Sequence, residues 1–281
     1  MPELPEVETV CAGLRNSVLG HTIENVTLNR PDLRIPFPKN FNKQVQNQKI
    51  DTVTRRAKYI LMNLNGGQTI AIHLGMSGWM TILNADDEYM PQKHDHMIIT
   101  CKNGAKMILN DARRFGMVFL VDTANMNAHS AFAHLGPEPL GNEFSGPVLK
   151  EKLRGRITSV KQAIMDQRIV VGVGNIYACE ALYRSGISPK KKSKDVTKAA
   201  CDRLVANIRY VLNEAITAGG SSLKDYRRIN GELGYFQHNF SVYDREYEKC
   251  TDCDCDFEKT KGIRRIVQSG RSTFFCPQKQ K

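Results

Sequence analysis

The hydrophobic pattern of this chain changes its period once, and that change decides the fold class. From Ile23 to about Val121, apolar residues come in short alternating runs. Examples are Lys58-Tyr59-Ile60-Leu61-Met62, Thr69-Ile70-Ala71-Ile72-His73-Leu74 and Met97-Ile98-Ile99-Thr100. A period of two puts every second side chain on one face of a sheet. Gly66-Gly67 and Asn103-Gly104 lie between such runs as turns. The stretch Leu135-Gly136-Pro137-Glu138-Pro139-Leu140-Gly141 is too rich in breakers for regular structure. Beyond it the period is helical, over about 146–153, 158–167, 175–184 and 195–217. Strands and helices are therefore segregated along the chain, which predicts an α+β protein: a β-sandwich or barrel, then a helical domain. One more helix is expected ahead of the strands, where Val7, Val10, Leu14 and Val18 recur at helical spacing behind an acidic start.

With 281 residues, 41% hydrophobic and 25% charged, the chain has enough material for two domains and a real core. Its 40 Lys and Arg against 29 Asp and Glu leave a net charge of +11, suited to a polyanionic partner, although an ordinary basic enzyme fits the same balance. No apolar run approaches the roughly 20 residues of a membrane span. The acidic opening lacks the basic and apolar regions of a signal peptide, so a cytoplasmic protein is expected. Four cysteines are scattered (Cys11, Cys101, Cys179, Cys201), and four (Cys250, Cys253, Cys255, Cys276) crowd into the last 32 residues. Scattered thiols suit a reducing compartment, and the terminal cluster suits a metal.

The second residue carries the first sign of chemistry. A small residue such as Pro2 permits removal of Met1, which frees a secondary amine. An α-amino group titrates near pH ~8, so a useful neutral fraction exists to attack a carbonyl-like carbon. Glu3 stands beside it to move a proton. In isolation the Pro-Glu pair means little. It continues, however, as Pro2-Glu3-Leu4-Pro5-Glu6-Val7-Glu8-Thr9, and further blocks follow in order. These include Arg55-Arg56-Ala57-Lys58-Tyr59, His73-Leu74-Gly75-Met76-Ser77-Gly78, Lys93-His94-Asp95-His96 and Arg113-Arg114-Phe115-Gly116. The later ones are Leu135–Leu140, Val171-Gly172-Val173-Gly174-Asn175-Ile176-Tyr177-Ala178, Gly234-Tyr235-Phe236-Gln237 and Gln268-Ser269-Gly270-Arg271-Ser272-Thr273. Over its whole length the chain resembles the formamidopyrimidine-DNA glycosylases.

The resemblance implies an N-terminal β-sandwich with a leading catalytic helix (1–134), a helical domain with a helix–two-turn–helix (135–236) and a zinc-finger-like β-hairpin module (237–281). It also implies a monomer acting on double-stranded DNA that contains oxidised bases or abasic sites. The implied activity is removal of 8-oxoguanine and formamidopyrimidines through a Pro2 Schiff base, followed by β,δ-elimination. Pro2, Glu3, Lys58 and Arg271 match catalytic positions. Met76, Arg114 and Phe115 match residues that fill the hole left by an extruded nucleotide, a task suited to a flexible thioether, a ring wedge and a hydrogen-bonding guanidinium. His94, Arg156, Lys161 and Asn175 match DNA-binding positions, with Lys161 and Asn175 on phosphates. Residues 219–237 correspond to a loop that closes over the extruded base.

The metal module departs from the family pattern. Cys250-x-x-Cys253 and Cys276 resemble three ligands of a four-thiolate zinc site, but Lys279 falls where the fourth is expected, and 22 residues separate Cys253 from Cys276. Cys255 as the replacement ligand, three thiolates with water, or a hairpin without metal are the alternatives; one structural zinc held by Cys250, Cys253, Cys255 and Cys276 is the expectation. For the function as a whole, an endonuclease VIII-like enzyme acting on oxidised pyrimidines and a non-catalytic binder of damaged DNA are the competing readings.

Overall fold

Fifteen residues open the chain as α1 (Leu4–Val18), whose Val7, Val10, Cys11, Leu14 and Val18 are all buried on one face. In this computed structural model, which describes residues 1–221 and 236–281, two four-stranded antiparallel sheets follow. Their elements are β1 (Ile23–Leu28), a short α2 (Phe41–Val45), β2 (Ile50–Arg56), β3 (Tyr59–Leu64), β4 (Gln68–His73), β5 (Trp79–Leu83), β6 (Asp95–Cys101), β7 (Lys106–Asn110) and β8 (Met117–Asp122). One sheet runs β1-β6-β7-β5 and the other β2-β3-β4-β8. Val53, Ile60, Met62 and Ile72 of one sheet join Ile99, Met107 and Leu109 of the other, and the α1 face, in a single apolar core. Each such side chain contributes about 1.5–3 kcal/mol on burial. Helix α1 is fixed to β2 by polar bonds as well, with Arg15 donating to the Val53 carbonyl at 3.1 Å and Arg55 pairing with Glu8 at 3.0 Å.

The helical half contains α3 (Gly146–Leu153), α4 (Val160–Ile164), α5 (Asn175–Arg184) and α6 (Lys198–Thr217). Between α4 and α5 the chain turns at Gly172, whose φ of 78° is in the left-handed region. The Gln167 side chain pins this turn, accepting the Gly172 N–H at 2.7 Å and donating to the Val173 carbonyl at 3.1 Å. A short α7 (Phe257–Thr260) precedes the hairpin of β9 (Arg264–Gln268) and β10 (Arg271–Phe275). Ser269 and Gly270, with φ of 49° and 73°, form its two-residue turn, the backbone twist that antiparallel hairpins favour. The cysteine module shares its core with α5: Cys179 and Tyr183 pack with Val242, Ile263, Phe274 and the terminal cysteines.

The chain divides into two compact units. One holds Met1–Ala133 and the segment entered at Ile216; the other holds His134–Ala215 and Phe236–Lys281. Among the described residues no helix is long and apolar enough to cross a membrane.

Glu180 of α5 ties its helix to the segment leading into the cysteines. Its fully buried carboxylate accepts N–H bonds from Ser241 (2.9 Å), Val242 (2.9 Å) and Tyr243 (2.8 Å). Glu180→Gln turns one acceptor into a donor facing a buried N–H. It lowers stability by about 1–3 kcal/mol, read as a shifted midpoint in urea unfolding.

Candidate active site and nucleic-acid interface

The start of α1 is an unusually constrained turn. Glu3 is its N-cap, with φ −106° and ψ −169°, and is only 2% exposed. Pro2, directly ahead, is also buried, and Pro5 in the first turn suits a position with no N–H to satisfy. Glu6 accepts the Glu3 N–H on Oε2 at 2.8 Å, the return half of a capping box. Its Oε1 accepts the N–H and hydroxyl of Ser221 at 2.8 and 3.0 Å. Gly219 and Gly220 both adopt positive φ, and a Cβ on Gly220 would stand 3.2 Å from Glu6 Oε1. The start of the helix and the backbone at Ser221 are thus one hydrogen-bonded assembly. Of the expected closing loop at 219–237, residues 222–235 lie outside the described residues.

Lys58 is placed differently from the strand position its sequence pattern predicts. It lies with Ala57 in the two-residue turn joining β2 to β3, with Arg56 paired to Tyr59 across it. Ala57 has φ 54°, so the chain reverses one residue before Lys58, whose side chain is drawn in to 9% exposure. An ammonium that buried is held for a purpose other than solubility.

Met76, Arg114 and Phe115 come together on two loops. One links β4 to β5 and the other β7 to β8. Gly75, at φ 69°, lies so close to the second loop that a Cβ would stand 2.4 Å from the Phe115 carbonyl carbon. Above this backbone contact Met76 is 38% and Phe115 43% exposed, and Arg114 is exposed at φ 58°. The Arg113 guanidinium lies 5.0 Å from the Phe115 ring centroid and steadies it. Adjacent solvent-facing Met and Phe side chains on rigid backbone mark a surface built to meet a partner. His94 is half-buried just before β6. His73 ends β4; burial first, then the charges of Lys58 and Arg34, push its pKa down to about 4. The ring is neutral, and its Nδ1 accepts the Gly75 N–H at 3.0 Å.

In the second unit, Arg156, Thr158, Gln162, Arg168, Ser269 and Arg271 line a cavity of about 340 Å³. Arg271 opens β10 beside the hairpin turn and is exposed, as is Arg156. Arg168 is paired there with the Asp166 carboxylate at 2.8 Å, and the Arg156 and Arg271 guanidinium groups suit phosphate oxygens. Lys161 and Asn175, which the sequence reading places on phosphates, are bonded to each other, and Lys161 is another lining residue of this cavity. Lys161 is 1% exposed and turned inward, its ammonium donating to Asn175 Oδ1 (2.6 Å), Thr273 Oγ1 (2.6 Å) and the Ser272 carbonyl (3.3 Å). Asn175 Nδ2 donates to the same carbonyl at 2.9 Å. A buried ammonium requires oxygens around it, and these two side chains supply and share them by clamping β10 to the start of α5.

The sulfur atoms of Cys250, Cys253, Cys255 and Cys276 lie within 4.8 Å of one another, with 3.4 Å between Cys250 and Cys255 and 3.6 Å between Cys253 and Cys276. Zn–S bonds of about 2.3 Å put tetrahedral sulfurs ~3.8 Å apart, so the cluster is compatible with a structural zinc. A hydrogen bond from Cys253 leads in holding Cys255 below the ordinary thiol range, while burial pushes Cys253 up to about 11. Lys279 does not take a ligand's place. Its ammonium lies 4.1 Å from the Tyr183 ring centroid and donates to the Asp252 carbonyl at 3.1 Å. The fourth sulfur comes from Cys255, two residues beyond Cys253.

A sandwich headed by a helix and followed by a helix–turn–helix with an arginine-tipped hairpin is the layout of helix–two-turn–helix DNA-lesion proteins. The N-terminal domain of formamidopyrimidine-DNA glycosylase matches residues 1–118, and the H2TH domain of formamidopyrimidine-DNA glycosylase matches 135–227. The formamidopyrimidine-DNA glycosylase of Ruegeria pomeroyi is 50% identical and that of Rhodospirillum rubrum 47%, each over 100% of both chains. Among solved structures, the MutM (Fpg) protein of Thermus thermophilus is 36% identical with a TM-score of 0.86, covering 99% of this chain and 98% of that one. A Lactococcus lactis FPG mutant in complex with DNA containing Fapy-dG is 30% identical with a TM-score of 0.89, over 100% of both chains. The chain belongs to the formamidopyrimidine-DNA glycosylase family.

Two residues at the site were not singled out from sequence, Glu6 as a bridge to Ser221 and Asp111 beneath the exposed loops. Glu6 lies three residues after the N-cap, a spacing that signals a capping box. Nothing local announces a partner 215 residues away. The His73 shift has a measurable consequence. Its folded pKa lies below the unfolded value near ~6.5, so the unfolded chain binds the extra proton first and stability falls as pH drops from about 6.5 towards 4. His73→Asn keeps an oxygen for the Gly75 N–H and flattens that part of the pH–stability curve.

Proposed function

We propose that the chain is a bifunctional DNA glycosylase and abasic-site lyase that excises oxidised purines, 8-oxoguanine and formamidopyrimidines, from duplex DNA in a bacterial cytoplasm. The observation that carries this is the buried turn of Pro2 and Glu3 at the head of α1, braced by Glu6. With Met1 removed, the neutral Pro2 nitrogen attacks C1′ of the damaged nucleotide. The C1′–base bond breaks, and Glu3 relays protons as the base departs. The C1′–O4′ bond then opens, its electron pair going to O4′, which Glu3 protonates. The resulting iminium acidifies the C2′ proton, so the 3′ phosphate leaves by β-elimination and the 5′ phosphate by δ-elimination. Lys58 assists those proton transfers and holds a phosphate, and Arg271 grips the phosphate beside the lesion.

Met76, Arg114 and Phe115 fill the vacated space in the duplex, while His94 and Arg156 hold the backbone. Asn175 opens α5, where the helix dipole favours a phosphate, and Lys161 keeps that end in register with β10. Labour divides as 1–134 for chemistry, 135–236 for DNA binding and 237–281 for presenting Arg271. Cys250, Cys253, Cys255 and Cys276 would hold one structural zinc, which would fasten the cysteine loop to the end of β10.

Two experiments test this reading. Borohydride reduction during turnover of an 8-oxoguanine duplex traps a covalent protein–DNA adduct, and peptide mass spectrometry places it on Pro2; an adduct elsewhere, or none, overturns the mechanism. Cys255→Ser lowers the zinc content from one per chain to well below one by elemental analysis. Unchanged stoichiometry would exclude Cys255 as a ligand.

A further inference from the structure

We propose that Asp111 is a positioning residue for nucleotide extrusion, its buried carboxylate locking the loops that carry Met76, Arg114 and Phe115 into one rigid wedge. This rests on the reading above, in which those three side chains occupy the gap in the duplex.

Asp111 follows β7 directly and is fully buried. Its Oδ1 accepts the Ser77 hydroxyl at 2.7 Å and the Arg113 N–H at 3.3 Å, and its Oδ2 accepts the Gly116 N–H at 2.8 Å. Its main-chain carbonyl accepts the Arg114 N–H at 3.2 Å and lies 2.9 Å from His96 Nε2. Its own N–H donates to the His94 carbonyl at 3.1 Å. The donors are therefore the neighbour of Met76 on one loop and the residues flanking Arg114-Phe115 on the other.

A carboxylate has acceptors on both sides and so holds these donors at once. The fit around it is tight: a Cβ on Gly116 would stand 3.1 Å from both Asp111 Oδ2 and the His73 carbonyl. Arg114 is held at φ 58°, a conformation unfavourable to a non-glycine residue that persists where neighbouring bonds over-determine it. Unstacking a base step opposes extrusion, so a wedge that yields cannot hold the step open.

The test compares substrates that differ in the need for extrusion, using the full chain. Asp111→Ala lowers excision from a fully paired 8-oxoguanine duplex by about tenfold or more, while cleavage of an abasic site in single-stranded DNA changes less than about twofold. Asp111→Asn gives a smaller loss than Asp111→Ala with the same duplex-specific pattern, because its oxygen still accepts the Gly116 N–H and its amide can donate to Ser77 Oγ, while the Arg113 N–H loses its carboxylate acceptor. Ser77→Ala gives a smaller loss with the same duplex-specific pattern and carries the test if Asp111→Ala does not fold. Equal losses on both substrates, or full duplex activity in Asp111→Ala or Ser77→Ala, overturn the proposal. Failure of the unsubstituted protein on both substrates would instead overturn the functional reading beneath it.

Discussion

Buried carboxylates facing backbone N–H groups hold together the parts of this molecule that carry its chemistry. Glu6 bridges the head of α1 to Ser221, Asp111 bridges the loops around Ser77 and Gly116, and Glu180 bridges α5 to residues 241–243. Each joins separate segments, and each accepts peptide N–H groups, with the Ser221 and Ser77 hydroxyls adding to two of them. A protein that meets polyanionic DNA benefits from that choice. Phosphates compete for guanidinium and ammonium groups, and salt screens exposed ion pairs. A carboxylate enclosed by N–H groups is indifferent to both, so the joints stay closed while the cations are engaged elsewhere.

The cations themselves fall into two populations. Arg114, Arg156 and Arg271 are exposed and free to meet phosphates or a base edge. Lys161 and Lys58 are drawn in, and Lys161 has spent its donors on three oxygens of α5 and β10. A net charge of +11 is thus a poor guide to which side chains touch a ligand. Burial separates the two groups, and burial is a property of the fold.

Much of the architecture was legible in the sequence because it rests on period and punctuation. Helices α3 and α5 begin and end where the pattern predicts, and the alternating runs are strands. What stayed hidden depends on backbone conformation or distant partners. Lys58 reads as a strand residue because Ala57 gives no sign of its positive φ. Lys161 reads as a surface cation because Thr273 and Ser272, its acceptors, lie more than a hundred residues on. Lys279 falls at a ligand's register position, yet sulfur proximity is a matter of space, and the Cys250–Cys255 loop curls its third thiol into the cluster. Asp111 could have been suspected as an acidic residue between a strand end and a tight turn, the place where carboxylates bind nearby backbone.

The unequal split of the four sulfurs, three from six consecutive residues and one from the end of β10, shapes how the C-terminal module comes apart and reassembles. Closing a short loop needs little loss of chain freedom, and each doubling of the enclosed length adds only about 0.6 kcal/mol. Three of the thiols are therefore gathered within one short loop, and the fourth stands at the end of a hairpin that Lys161 and Asn175 also clamp to α5. If a metal joined the four sulfurs, losing Cys276 would leave three ligands together in the loop and β10 still bonded to α5.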